Sequence, residues 1–333
     1  MTHCRQEDVA DDIRPLLSGQ LSSPHRFAIA TLVAVDGPSP RDIGAQMLIT
    51  EQQRWGFLSG GCVEDDVARH GGEVIETDKH RLLRYGEGSP WFDIKLACGA
   101  GISILVESAR IDDPAISTLL SGYRDRKPVL WQSDGKTRNA RFFDNAIPPL
   151  PAWDGSCFSA VFEPPLRLVI IGGDATALAL AGLALHLETE TVLVDPGGPM
   201  SAPFAGLAYL RSTTVEALPL DRWTAVAVVT HDRDSDESML AAALSSDAFY
   251  VGAIGARSRL QSRVERLQQY GVSAAAIQRL RAPIGLYGLG KSPRDIALSI
   301  MSEVKRDFHS RSARARSEGV SISSIAPSSV VGR

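Results

Sequence analysis

The chain contains little cysteine, no excess of basic residues and no long apolar run. Its four cysteines, in 333 residues, are too few for a disulfide framework, and no C-x-x-C pair indicates structural zinc. The formal net charge is −4, whereas a nucleic-acid-binding surface normally has an excess of basic residues, so the charge argues against such a surface. Neither a secretory signal nor a membrane-spanning run is present. These absences predict a soluble, cytoplasmic protein with reduced thiols and with no nucleic-acid or membrane partner.

The length and composition of the chain favour more than one folded domain. Hydrophobic residues make up 44% and charged residues 22%, which are globular values, and 333 residues are long for a single core. The Pro-rich stretch 163–165 is typical of a domain boundary. We therefore expect four parts: an N-terminal domain (1–110), a connecting region (111–165), a second domain (166–308) and a disordered Ser/Arg-rich tail (309–333). Within the connecting region we expect a helix near 114–124 and strands near 128–132 and 157–162.

The pattern of apolar residues predicts an α/β protein with two different halves. The first half mixes short strands with one or two helices, which is typical of an α+β domain; its predicted elements are strands at 27–35, 46–50, 53–58, 82–85 and 102–106, and a helix at 63–77. From residue 166 onward, strands and helices alternate, which predicts a Rossmann-like, doubly wound parallel sheet. Its closing helix begins with a capping box, in which Ser292 is the N-cap and Asp295 the third helical residue.

The stretch 57–64 has the most distinctive chemistry in the first half. An apolar approach leads to Gly60 and Gly61, then to Cys62, and a carboxylate follows at Glu64. Glycines permit a sharp turn and let a ligand approach the backbone closely. A thiol beside the first amides of the following helix is more reactive than an ordinary one.

A similar element, Cys98-Gly99, lies within a second apolar run at 92–106. Together with Cys62 it suggests a pair of functional thiols at glycine turns. The alternative is that both cysteines are small buried hydrophobic residues beside those turns. The spacing of the residues does not decide between these interpretations.

Several loops carry cations or acid–base residues that are candidates for ligand binding. Arg41, at the tip of a turn rich in proline, is either a contact for a phosphate or carboxylate or a solvated arginine. Gly255 belongs to a small-residue loop that is a candidate phosphate cradle, with Arg257 as its counter-charge. His231 and Asp232 form either an acid–base pair, a set of metal ligands, or a polar loop that caps the next helix.

The first turn of the second domain has the outline of a dinucleotide site. Gly172 and Gly173 follow a buried strand, and Asp195 ends the next strand, where a ribose-binding acid is expected. In the pattern G-x-G-x-x-G, however, Asp174 stands at the second glycine and Ala177 at the third. An aspartate there places negative charge where a pyrophosphate needs bare amides, which argues against NAD or NADP binding.

The order of these motifs resembles that of the XdhC/CoxI accessory proteins, which serve xanthine dehydrogenase and aldehyde oxidoreductase relatives. The resemblance covers most of residues 27–308. In the first half it is carried by Gly60-Gly61-Cys62-Val63-Glu64 and Ala97-Cys98-Gly99. In the second half it is carried by Thr230-His231-Asp232, Tyr250 to Arg257, Pro283 to Leu286 and Ser292 to Ala297.

The resemblance implies a cytoplasmic, dimeric chaperone rather than an enzyme. Such a chaperone binds molybdenum cofactor, as molybdopterin or its dinucleotide form, and protects it while a cysteine desulfurase replaces an oxo ligand by sulfur. It then inserts the cofactor into the large subunit of an apo-molybdoenzyme. The alternative is an NAD(P)-dependent oxidoreductase that uses Asp195 to bind ribose and His231 as acid or base.

The resemblance also assigns roles to individual residues. Cys62 and Cys98 become candidate cofactor ligands, Glu64 becomes their polar partner, and the neighbouring glycines let the pterin approach. A cofactor phosphate needs amides and a cation, and the candidates for that role are Gly255, Arg257 and Arg41.

Overall fold

The computed structural model describes residues 10–19, 26–86, 89, 96, 99, 101–145, 147–215, 218–230 and 233–317, without the side chains of 233–236 and 312–317. Cys98, His231 and Asp232 lie outside the described residues. The chain divides into two compact units, Met1–Pro164 and Pro165–Arg333. Within the described part, no helix combines the length and apolar character needed to cross a membrane.

The first unit is built on a five-stranded antiparallel sheet in the order β3-β2-β1-β5-β4. Its strands are β1 (Arg26–Asp36), β2 (Gln46–Ile49), β3 (Arg54–Trp55), β4 (Arg81–Tyr85) and β5 (Gly101–Arg110). Helix α2 (Glu64–Thr77) covers one face, and α1 (Arg14–Gly19) contributes to the core on the other. These elements agree with the strands and the helix predicted for the first half, except that the strand expected at 53–58 is only two residues long.

Strand β1 is buried on both faces, which explains its nearly continuous apolar sequence. Ala30 and Leu32 belong to the core beneath α2, whereas Ile29 and Val33 belong to a second core. The alternation follows from the strand geometry, because successive side chains point to opposite faces of a sheet.

The region 111–165, which we expected to be a connecting region, contains the helix predicted near 114–124 and the strands predicted near 128–132 and 157–162, and these strands belong to a second sheet. Helix α3 (Pro114–Arg124) is followed by four antiparallel strands in the order β7-β6-β9-β8. The strands are β6 (Val129–Ser133), β7 (Arg138–Phe142), β8 (Ala152–Trp153) and β9 (Phe158–Phe162). Trp131 and Phe158, both fully buried, share the second core with β1. The region is therefore part of the first compact unit.

The second unit contains six parallel strands in the order β12-β11-β10-β13-β14-β15. The strands are β10 (Arg167–Ile171), β11 (Glu190–Val194), β12 (Ala208–Leu210), β13 (Thr224–Val228), β14 (Tyr250–Ala253) and β15 (Leu280–Arg281). In chain order this is 3-2-1-4-5-6, the strand order of a Rossmann fold, so the predicted fold class is confirmed.

Helices cover both faces of this sheet. One face packs against α4 (Ala175–His186) and α8 (Pro293–Ser317), and the other packs against α5 (Arg233–Leu244) and α6 (Leu260–Gln269). A 3₁₀ turn (Arg257–Arg259) precedes α6, and a short helix, α7 (Ala274–Ile277), follows it. The sheet is therefore doubly wound, as the alternating pattern predicted.

Helix α8 begins with the predicted capping box but extends further than expected. The Ser292 hydroxyl accepts from the Asp295 amide, and the Ser292 amide donates to the Asp295 carboxylate, both over 3.2 Å. The helix continues to Ser317, through residues that we expected to be disordered. Alanine and arginine favour helices, and the buried residues Ile300 and Val304 anchor the helix to the sheet.

Candidate functional site

The Gly-Gly-Cys loop joins β3 to α2 and presents a thiol to solvent. Gly60 and Gly61 have φ angles of +82° and +104°, a conformation that favours glycine. A Cβ atom added to either glycine would meet no described atom within 4 Å, so their outer surface is open. Cys62 is exposed at the end of the loop, and α2 begins two residues later. The alternative of a buried, hydrophobic Cys62 is therefore wrong.

The carboxylate of Glu64 lies beneath the loop, and the residue is only 5% exposed. One oxygen accepts from the amides of Leu58 and Ser59 at 2.8 and 2.7 Å. The other accepts from the amides of Gly61 and Val63 at 2.9 and 3.1 Å. A single buried side chain thus bonds four amides of the segment in which it lies.

Ser59 completes this network from the opposite direction. Its hydroxyl donates to Glu64 at 2.8 Å and accepts from the amides of Cys62 and Val63 at 3.0 and 3.2 Å. Burial by itself raises the pKa of Glu64, but the hydrogen bonds from Leu58 and Ser59 outweigh burial and hold that pKa below its ordinary value. The network therefore requires an ionised carboxylate.

The position of Glu64 differs from the role of polar partner that the resemblance implied. Its oxygens point inward to the loop amides, so Glu64 shapes the loop instead of presenting a polar group on the loop surface. Ser59 was not identified from the sequence, because its spacing from Glu64 does not show that the two side chains meet. The loop's outward-facing chemistry consists of the Cys62 thiol and the bare backbone of two glycines.

Arg41 and Gly99 are the two remaining described candidates of the first unit. The Arg41 guanidinium stacks over the Phe57 ring, with 4.4 Å to the centroid, and forms an ion pair with Asp11. Arg41 therefore lies at the start of the loop, with its side chain only 18% exposed. Gly99 is exposed and has a φ of +71°, and its amide donates to Leu96 at 3.0 Å.

In the first turn of the second unit, two glycines lie close to neighbouring segments of the chain. A Cβ on Gly172 would lie 3.0 Å from the Val229 carbonyl oxygen on the neighbouring segment. A Cβ on Gly173 would collide with a carboxylate oxygen of Asp195. The predicted glycines and the predicted acid are therefore brought together, with Asp195 directly over Gly173.

Asp174 caps the helix that follows this turn. Its carboxylate accepts from the Ala177 amide at 2.8 Å, so the protein's own side chain bonds one of the amides at the start of α4. A phosphate would have to compete with that carboxylate for the same end of the helix. The structure thus supplies a physical reason for the aspartate that interrupts the glycine pattern.

A small cavity of about 100 Å³ lies at the carboxyl ends of β13 and β14. Gly255, Arg259 and Arg263 are among its lining residues. Arg257, the arginine selected from the sequence, is exposed and is not one of those lining residues. Gly255 of the loop selected from the sequence therefore lines the cavity, whereas the arginines that line it were not selected.

Comparison with known proteins identifies the family. Residues 168–304 match the XdhC Rossmann domain, and residues 20–86 match the XdhC and CoxI family. The molybdenum cofactor insertion chaperone PaoD of Escherichia coli (strain K12) is 32% identical over 303 residues, which cover 90% of each chain. The chain belongs to the XdhC and CoxI family. The resemblance seen in the sequence is thus confirmed.

Two further relatives extend the comparison. A protein of Bacillus subtilis (strain 168) named as a probable xanthine dehydrogenase subunit is 24% identical over 325 residues, covering 87% of this chain and 95% of the relative. A crystal structure described as a xanthine dehydrogenase from Bacillus halodurans has the same fold as this XdhC and CoxI family protein. Its TM-score is 0.70 at 22% identity, with 90% of this chain and 95% of that chain covered.

PaoD is named as an insertion chaperone and not as an enzyme. This agrees with the expectation that the present XdhC and CoxI family protein is not an enzyme.

Proposed function

We propose that this XdhC and CoxI family protein binds molybdenum cofactor at the Gly-Gly-Cys loop and inserts it into an apo-molybdoenzyme. The observation that carries the proposal is the exposed thiol of Cys62 on a loop held by the buried Glu64. The name of the E. coli relative, a molybdenum cofactor insertion chaperone, supports this role.

The loop suits a flat, sulfur-rich ligand. Thiolates are soft ligands, and a thiolate is compatible with a metal held by the dithiolene sulfurs of a pterin. Gly60 and Gly61 leave their outer surface open, so a planar ring can approach the backbone there. Because Glu64 and Ser59 already order the loop, binding loses less conformational entropy than it would on an unstructured segment.

We further propose how the cofactor is modified and which enzyme receives it. The chaperone protects molybdopterin, or its dinucleotide form, while a cysteine desulfurase replaces an oxo ligand by sulfur. The recipient is the large subunit of a xanthine dehydrogenase or aldehyde oxidoreductase type enzyme; the similarity to a probable xanthine dehydrogenase subunit supports this class. We also propose that the chaperone acts in the cytoplasm as a homodimer, with Cys98 as a second ligand.

Cofactor retention by cysteine variants tests the proposal. Purified protein is loaded with molybdopterin, desalted, and assayed for molybdenum by mass spectrometry and for pterin by fluorescence. We expect Cys62→Ala to lower retention at least about tenfold, which corresponds to about 1.4 kcal/mol of binding free energy. Cys157→Ala is the matched control, because Cys157 is a half-buried cysteine in the same unit. Retention by Cys62→Ala equal to that of the parent would contradict the assigned role of the loop.

The oxidoreductase alternative depends on Asp195, which lies where a ribose-binding acid is expected. The helix cap formed by Asp174 opposes it, because that carboxylate occupies the phosphate end of the turn. The chaperone remains the better supported function. Titration with NADH and NADPH separates the two, since only the oxidoreductase requires binding of either nucleotide.

A further inference from the structure

The cavity in the second unit occupies the position where open parallel sheets bind ligands. Thr230 and Ile254 line it and follow the carboxyl ends of β13 and β14, and Ala282 follows the end of β15. Ligands of doubly wound folds lie outside the carboxyl ends of the strands. This cavity belongs to a different compact unit from the Gly-Gly-Cys loop.

Three arginines from one helical face line the cavity. Arg259, Arg263 and Arg266 are spaced four and three residues apart, so their side chains project from the same side of the helix. The cavity also contains a buried carboxylate, Glu237, which is paired with Arg266. Among the described lining residues, this pairing offsets one positive charge and leaves Arg259 and Arg263 as the excess positive charge.

Arg263 is held in place by the backbone of the loop after β14. One of its terminal nitrogens donates to the Ile254 carbonyl oxygen at 2.9 Å. The same nitrogen would lie 3.3 Å from a Cβ on Gly255, whose φ is +150°, so the glycine lets the guanidinium come close to the chain. A guanidinium has five N–H donors, so donors remain after this bond.

We infer that this cavity binds a phosphate or pyrophosphate group, with Arg259 and Arg263 as the recognising residues. The guanidinium fork matches the geometry of phosphate oxygens and supports paired, charge-assisted hydrogen bonds. Among the described residues, no hydrogen bond or ion pair engages the Arg259 guanidinium. The site lies apart from the first turn of the fold, where Asp174 caps the helix. It does not depend on a role for Cys62.

Inorganic pyrophosphate is the probe that tests the site, measured by isothermal titration calorimetry on the full chain. We expect saturable binding to the parent that weakens as sodium chloride is added. Arg259→Gln should weaken binding at least about tenfold, since it removes a charge-assisted contact. Arg263→Lys, which keeps the charge but loses the fork, should also weaken it. Arg257→Gln is the matched control, because it removes the same charge from the same turn outside the cavity lining.

Two results would overturn the inference. One is the absence of saturable pyrophosphate binding to the parent. The other is an equal loss in Arg257→Gln and Arg259→Gln, which would indicate unspecific attraction to a basic surface. Parallel titrations with CMP and AMP then distinguish a site for the bare phosphate group from one for a whole nucleotide. Tighter binding of either nucleotide than of pyrophosphate would extend the inferred site to the nucleoside.

Discussion

The hydroxyl of Ser59 donates to the buried carboxylate of Glu64 over 2.8 Å, and together they bond most of the amides in the Gly-Gly-Cys loop. Glu64→Gln should loosen this loop, because an amide nitrogen cannot accept the hydrogen bonds that one carboxylate oxygen now accepts. Each lost bond to a charged acceptor contributes about 1.5–3 kcal/mol. Amide hydrogen exchange of the peptide spanning 57–63 should rise at least about tenfold.

The exposed Glu76 provides the control for this prediction. Glu76→Gln makes the same chemical change on the same helix, and we expect it to leave the exchange of residues 57–63 unchanged. Ser59→Ala should give an intermediate increase, since it removes the hydroxyl but leaves the carboxylate bonds to Leu58 and Gly61. Unaltered exchange in Glu64→Gln would show that the carboxylate does not order the loop.

The two cysteines that the structure describes should differ in their reaction with iodoacetamide. Cys62 is exposed, whereas Cys157 is half-buried. Burial, assisted by the nearby charge of Asp154, raises the pKa of Cys157, so less of it is thiolate at neutral pH. Peptide mass spectrometry after brief labelling at pH 7 should therefore find Cys62 modified before Cys157.

Raising the pH provides the control. Labelling of Cys157 should increase as the pH approaches its raised pKa, and prior unfolding in urea should remove the difference between the two sites. Faster labelling of Cys157 than of Cys62 in the folded protein at pH 7 would contradict the described exposure of the loop thiol.

Apolar patterns predicted the architecture well, because burial in a sheet or on a helix face is periodic in sequence. The near-continuous apolar strand β1 is buried on both faces, and the Ser292–Asp295 box caps α8 as its residue types indicated. Local rules of this kind need only neighbouring residues. The packing of the second sheet on the first through Trp131 depends on distant residues, and no local pattern indicates it.

Side-chain direction was the part that the sequence did not reveal. The spacing of Cys62 and Glu64 places a carboxylate near a thiol, but only the turn through two glycines shows that it points inward. The same limit applies to Arg257. Arg259 and Arg263, four residues apart, face the cavity, whereas Arg257 does not. The direction of each side chain depends on how the 3₁₀ turn continues into the helix.

The stability of the first unit should depend on pH through His70, a fully buried residue of α2. Its ring nitrogens lie 2.9 Å from Arg69 and 3.0 Å from Arg81. Burial, reinforced by these guanidinium groups, lowers the pKa of His70 below 6.5, although Asp66 opposes the shift. The unfolded chain then binds a proton at a higher pH than the folded chain does. The folded state therefore loses stability as the pH falls from 6.5 towards the lowered pKa of His70, and it keeps that stability above pH 6.5.

Urea unfolding at pH 7.5 and pH 5.5 measures this contribution. The free energy of unfolding should fall less between pH 7.5 and pH 5.5 in His70→Gln than in the parent. Each unit by which the pKa of His70 differs between the folded and unfolded states corresponds to about 1.4 kcal/mol. His186→Gln, which removes a histidine from the second unit, serves as the control. An unchanged pH dependence in His70→Gln would show that His70 does not titrate differently on unfolding.

Asp174 should decide whether the first turn of the Rossmann unit accepts a dinucleotide. The parent should not bind NADH at micromolar concentration, because the Asp174 carboxylate accepts from Ala177 where a pyrophosphate would lie. Asp174→Gly removes the charge and restores the second glycine of the pattern. Since glycine costs a helix cap only a few tenths of a kcal/mol, the fold should survive and NADH affinity should rise. Titration followed by NADH fluorescence measures the gain.

Asp174→Asn tests whether the negative charge of Asp174 or its hydrogen bond to the helix amide excludes the pyrophosphate. Asparagine also caps helices, so this variant keeps the hydrogen bond to Ala177 but loses the negative charge. If charge alone excludes the pyrophosphate, both variants gain affinity; if the cap occupies the amides, only the glycine variant does. Micromolar NADH binding by the parent would mean that the cap does not close the turn. The carboxylate of Asp195, which lies over Gly173, would then become the residue to substitute next, as the expected ribose contact of an oxidoreductase.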